Sequence, residues 1–258
     1  MKSLFKAEEE GIMTKIGKND FLQVLLELRE QDDGAPSMSM TQLKAVVFDI
    51  VVAGSDTRTT MCEWVMARLL KHPEIMRKVT EELTGVVGLD NLVEESHLPK
   101  LHYLEAVIKE TCRLHLVGPF LLVCTPSESS IIGGYHVPKG SSIFLNAWAI
   151  QRDPKYWDNP LKFKPERFLN NAFGRFDYLG NNFKYLPFGL GRRICARLTL
   201  GERTLKYILA SFLHSYEWKL PQGSEIEFSD MFGVVTKTKN PTITIPTPRL
   251  SNSELYTE

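Results

Sequence analysis

The chain has 258 residues, 43% hydrophobic and 24% charged, values ordinary for a soluble globular protein of one large domain or two small ones. Its 31 basic and 31 acidic side chains cancel, so no overall field recruits nucleic acid or an anionic membrane. No run of about 20 apolar residues exists to span a bilayer, and the opening MKSLFKAEEEG lacks the apolar core of a signal peptide.

Residues 1–19 read as a flexible, solvated lead-in to a domain over 20–258. The stretch DFLQVLLELRE predicts a helix with Phe21, Val24, Leu25 and Leu28 on one face, and Gly34 and Pro36 break it. A long helix follows over about 41–70. Ser39 and Gln42 form its capping box, and His72-Pro73 closes it, because a residue before proline avoids helical angles. Its stretch LKAVVFDIVVAG is apolar on nearly all sides, which predicts burial at the centre of the molecule. Further helices are expected at 73–87 and 101–114. From Ile131 the period changes, and GGYHVPKGSSIFLN reads as two short strands around a turn at 138–140. Residues 153–182, rich in Pro, Asn, Gly and aromatics, predict a long structured meander with a functional role. A helix over about 198–215 and a hairpin-like strand pair in FGVVTKTKNPTITIP complete a mainly α chain with small β-sheets.

Four cysteines are present and none forms a Cys-x-x-Cys pair. Cys62 and Cys112 fall in helical patterns, as small buried side chains do, so a reducing compartment is expected. The six histidines show no paired metal-site spacing. Cys195 stands apart. It ends LPFGLGRRIC, where Gly189 and Gly191 permit positive φ angles, and it precedes a helix whose N-terminal N–H groups favour thiolate over thiol. Such a thiolate suits a nucleophile or a metal ligand, and a buried structural cysteine fits the same position. A zinc centre is excluded, since no second Cys or His lies within ligand spacing.

The order Phe188, Gly191, Arg193, Cys195 resembles the haem-ligand signature of the cytochrome P450 family. The likeness extends to Glu110 and Arg113 in KETCR, to Arg167 in PERF, to the run Ala53-Gly54-Ser55-Asp56-Thr57 and to WAIQRDPKYW. It covers the chain from about Asp20 onward and is closest to plant microsomal members acting on specialised metabolites. The resemblance implies the C-terminal, haem-binding portion of that fold, incomplete, with the N-terminal half absent. It implies Cys195 as the axial ligand of haem b (iron protoporphyrin IX), Phe188 packed beside it, and Arg193 on a propionate. Glu110, Arg113 and Arg167 would form a structural network behind the loop. On the long helix, Gly54 would make room for dioxygen, Thr57 would orient a water, and Asp56 would help supply protons. NADPH–cytochrome P450 reductase would deliver electrons for oxygenation of a small apolar substrate. The full-length family sits on the cytosolic face of the endoplasmic reticulum membrane, and this chain would lack the anchor. Two positions depart from the pattern: Arg197 stands where the family has glycine, and Cys124 where it has a basic residue for a propionate. The competing expectation is a truncated, inactive remnant, in which the long helix would expose an apolar patch.

Overall fold

The computed structural model describes residues 20–30, 38–169, 176–233 and 235–256. The lead-in expected over 1–19 lies outside them. Helix α1 (Phe21–Glu30) begins where the Asp20 carboxylate accepts the Gln23 backbone N–H at 2.8 Å, satisfying one orphan donor of the helix start. Its buried stripe is Leu25 and Leu26, packed with Leu43 of helix α2 (Met40–Lys71). This corrects the expected face: Phe21, Val24 and Leu28 are exposed. The segment is apolar around more than one face, and the packing partner selects which one is covered.

The capping box of α2 forms in both directions. Ser39 N–H donates to Gln42 Oε1 at 2.8 Å, and Gln42 N–H donates to Ser39 Oγ at 3.2 Å. The chain divides into two compact units within this helix, one ending at Ser55 and one running from Asp56 onward. Burial of the apolar middle of α2 is not observed. Phe48 is 58% exposed, Val51 56% and Val52 50%. A helix apolar on every side needs cover on every side, and the described residues leave this stretch open.

In the second unit, helix α3 (Pro73–Val87) opens with proline at its first position and buries Ile75, Val79, Leu83 and Val87, four residues apart. Each such aliphatic contributes roughly 1.5–3 kcal/mol on burial. Glu82 then starts the next helix, α4 (His102–Leu114), by accepting the Tyr103 and Leu104 N–H groups at 2.7 and 2.9 Å. The last five residues of α4, Glu110 to Leu114, are all buried, Glu110 and Arg113 included. A one-turn helix, α5 (Ala147–Ile150), is capped by the Asn146 side chain. Helix α6 (Leu198–Ser215) buries Leu205, Leu209 and Leu213 in the same core.

Strands β1 (Ser130–Ile132) and β2 (Tyr135–Val137) pair antiparallel across Gly133 and Gly134, both with positive φ. The expected turn at 138–140 exists, with Ser141 N–H bonded to the Pro138 carbonyl at 3.2 Å, but it lies after the hairpin instead of inside it. Two consecutive glycines are the stronger hairpin signal. The C-terminal strands also pair differently from expectation. β4 (Asp230–Met231) pairs with β5 (Lys237–Thr238), whereas β6 (Ile245–Pro248) returns to β3 (Tyr216–Lys219), directly after α6. Pro241, with no N–H to offer a ladder, separates β5 from β6.

Candidate functional site

The cysteine loop is closed by its own backbone. Cys195 N–H donates to the Phe188 carbonyl at 2.9 Å, and Ile194 N–H donates to Gly191 at 3.2 Å. Leu198 N–H then bonds to the Cys195 carbonyl at 3.2 Å, leading the loop into α6. Gly191, at φ +63°, starts the 3-10 turn Gly191–Arg193, which leaves Arg193 exposed. Phe188 is half-buried and meets the Tyr178 ring edge-on at 5.3 Å. Cys195 itself is exposed, and all four cysteines are free thiols. The contrast with the helical cysteines is chemical: burial pushes Cys62 up to about 11 and Cys112 up to about 12, which holds both as inert thiols. Among the described residues no group of three or more His, Cys, Asp or Glu side chains is placed to hold a metal ion. One exposed sulfur on a closed loop, with no second protein ligand near it among the described residues, fits an iron whose remaining protein-independent ligands would be the nitrogens of a porphyrin.

Two residues that sequence reasoning passed over seat this loop. Gly180, at φ +72°, lies so close beneath it that a Cβ would sit 2.7 Å from the Gly189 carbonyl oxygen. Gln151 is fully buried. Its Oε1 accepts the Leu186 N–H at 2.9 Å at the head of the loop, while Nε2 donates to the Cys112 and Arg113 carbonyls. No charge or periodicity marks either residue: Gln151 lies in WAIQRDPKYW, and Gly180 is one of several glycines and asparagines of the meander.

Behind the loop, Glu110, Arg113 and Arg167 meet in the core. Arg113 donates Nε to Glu110 Oε2 at 2.8 Å and Nη2 to Oε1 at 2.9 Å. Arg167 Nε reaches Oε1 at 3.1 Å. Other guanidinium protons go to backbone carbonyls: Arg113 Nη1 to Gln151, just after α5, and to Pro160 in the meander, and Arg167 Nη1 to Asp158. The Trp157 ring lies 5.0 Å from the Arg113 guanidinium. These charges are therefore buried, paired and hydrogen-bonded, the condition under which buried charge persists.

A second buried cluster lies where α2 passes the end of α4. His115 stacks on Trp64 at 3.9 Å, and its Nε2 accepts Arg68 Nε–H at 2.8 Å. The proton is thereby fixed on Nδ1, which has no partner among the described residues. Burial, then the charges of Arg68, Arg152 and Arg113, push this imidazole down to about 2.

On α2, Gly54 is half-buried at the end of the first unit, and Ser55 Oγ bonds back to the Val51 carbonyl at 2.8 Å. Asp56 is exposed and bonded to Lys237 Nζ at 2.5 Å; Thr57 is half-buried on the following position. An aromatic group lies on the second unit's surface: Phe120 meets Phe144 at 6.3 Å and Phe232 at 6.1 Å, both edge-on. Arg197 is half-buried at the N-cap of α6, and Cys124 is exposed, its backbone bridged to Ile143.

These features define a helical domain with a cysteine presented on a closed loop. A family model described as Cytochrome P450 matches residues 1–245. A flavonoid 3'-monooxygenase of Crocosmia x crocosmiiflora is 42% identical over 95% of this chain and 49% of that protein. A carnosic acid synthase of Salvia pomifera is 41% identical over 89% of this chain and 45% of its own length. A zebrafish cytochrome P450 solved with progesterone superposes with a TM-score of 0.82 at 31% identity, covering 96% of this chain and 56% of that one. The chain belongs to the cytochrome P450 family. It spans about half the length of the curated relatives it matches. No described helix is long and apolar enough to cross a membrane.

Proposed function

We propose that this chain is the haem-binding portion of a haem-thiolate monooxygenase, with Cys195 as the axial ligand of haem b. The observation that carries the reading is the exposed Cys195 sulfur on a loop closed by the Cys195–Phe188 backbone bond. When bound, the haem supplies activation of dioxygen, from which one oxygen atom enters an organic substrate. The chain's own residues do the rest. Cys195 donates its sulfur, Phe188 and Gly191 shape the loop around it, and the exposed Arg193 is available to a propionate. Glu110, Arg113 and Arg167 keep the loop's support rigid. Gly54 leaves space on α2, Thr57 orients a water, and the Asp56 carboxylate holds and passes a proton.

The substrate proposed is a small apolar metabolite of plant specialised metabolism. Flavonoids come first, because relatives such as the Crocosmia protein are named for them. Electrons come from NADPH through cytochrome P450 reductase, and the whole protein would work at the cytosolic face of the endoplasmic reticulum. The test is turnover: the haem-loaded chain with reductase, NADPH and a flavonoid under ¹⁸O₂ yields a product heavier by one labelled oxygen.

A second reading, a family portion that binds haem without turnover, is supported by the exposed middle of α2 at Phe48, Val51 and Val52. Oxygenation needs a site closed to water. Haem uptake with no labelled product would select this reading.

A further inference from the structure

Gln151 stands at the C-terminal cap of α5, and both its backbone and its side chain are committed. Its N–H closes α5 on the Ala147 carbonyl at 3.0 Å, and its own carbonyl accepts Arg113 Nη1 at 2.8 Å. Nε2 reaches the Cys112 and Arg113 carbonyls at 3.3 and 3.4 Å, at the end of α4 where a helix runs out of its own donors. Oε1 takes the Leu186 N–H at 2.9 Å. These neighbours admit one orientation of the amide, since a flipped group would set its oxygen against two carbonyls and N–H against N–H.

From Leu186 the bonding continues through the loop. The Leu186 carbonyl accepts Gly189 N–H at 3.2 Å, and the Phe188 carbonyl accepts Cys195 N–H at 2.9 Å. One neutral side chain thus joins the end of the helix that carries Glu110 and Arg113 to the backbone of the segment that presents the sulfur. Tyr185 is also tied to α4, its hydroxyl donating to the Lys109 carbonyl at 3.1 Å. That bond holds a side chain, whereas Gln151 holds the main chain.

We propose that Gln151 is a positioning residue for Cys195: it passes the fixed geometry of the Glu110–Arg113–Arg167 network to the cysteine loop and so sets where the sulfur stands. This rests on Cys195 as the haem ligand. The place requires a neutral group that donates on one side and accepts on the other. Methionine fills the space but leaves the Leu186 N–H and two carbonyls buried without partners. A neutral histidine, with one N–H and one bare nitrogen, supplies both kinds of bond.

The experiment follows amide hydrogen exchange by NMR in the haem-free chain, with the amide of the fully buried Leu209 in α6 as the reference for global opening. In Gln151→Met the Leu186, Gly189 and Cys195 amides exchange about tenfold faster relative to Leu209 than in the wild type, the factor expected for one buried hydrogen bond. Gln151→Asn, with a shorter reach, moves them the same way by less, and Gln151→His restores the wild-type ratio. Tyr185→Phe removes a bond between α4 and the same segment, yet leaves the Cys195 amide as it was. Loop amides unchanged in Gln151→Met and Gln151→Asn, or accelerated equally in Tyr185→Phe, overturn the proposal. After haem loading, reduction and carbon monoxide, Gln151→Met loses part of the thiolate-type Soret band and Gln151→His keeps it; a full band in Gln151→Met overturns the positioning role as well. The exchange result does not depend on haem. Its failure is therefore separate from failure of the ligand reading, which shows as a spectrum unaltered in Cys195→Ser.

Discussion

Arg167 reaches Glu110 across 57 positions of sequence, its Nε 3.1 Å from Oε1. That same oxygen accepts Arg113 Nη2 and the Lys164 backbone N–H, each at 2.9 Å. One buried carboxylate thus joins helix α4 to the meander that leads toward the cysteine loop.

Replacing Glu110 with alanine leaves two buried guanidiniums without their counter-charge. The expected loss is about 3–5 kcal/mol of stability, read as a lowered urea midpoint. Arg113→Lys is expected to be strongly destabilising as well, because lysine cannot supply the forked pair to Glu110 together with the Gln151 and Pro160 carbonyl bonds.

Gly180→Ala forces a Cβ against the Gly189 carbonyl at a positive φ. The expected cost is about 1–3 kcal/mol, accompanied by weaker haem uptake as the cysteine loop shifts. Gly85→Ala is the control. It lies inside α3 with open space around it, and it stabilises by up to about 1 kcal/mol. Thermal melts and haem titration of both variants check the pair.

His115 sets a pH dependence whose sign follows from its depressed value. In the folded chain it titrates at about 2, against 6.5 for the free side chain. Below 6.5 the unfolded chain binds a proton that the folded chain refuses, so stability present at neutral pH falls as pH drops toward 2. The slope from this one group is at most about 1.4 kcal/mol per pH unit. His115→Gln keeps an acceptor for Arg68 without the titration, and its urea stability between pH 7 and 4 is expected to fall less steeply than that of the wild type.

The helices were legible because their boundaries are written in local chemistry. Pro73 after His72 and the Ser39–Gln42 box fix ends that need no tertiary information. The family was legible from the cysteine loop. What the sequence concealed depends on partners. On α1 the expected Leu25 is buried, but Leu22 and Leu26 compete with Phe21, Val24 and Leu28 for the side next to it, and only packing decides. The return of β6 to β3 joins segments too far apart for local patterning to indicate. Gln151 and Gly180 act through hydrogen bonding and close approach, which leave no hydropathy signature.

The most direct test is the spectrum of the haem-loaded chain after reduction and addition of carbon monoxide, wild type against Cys195→Ser. The account predicts a thiolate-type Soret position in the wild type that disappears in the serine variant. A bound haem whose spectrum is the same in both would contradict it.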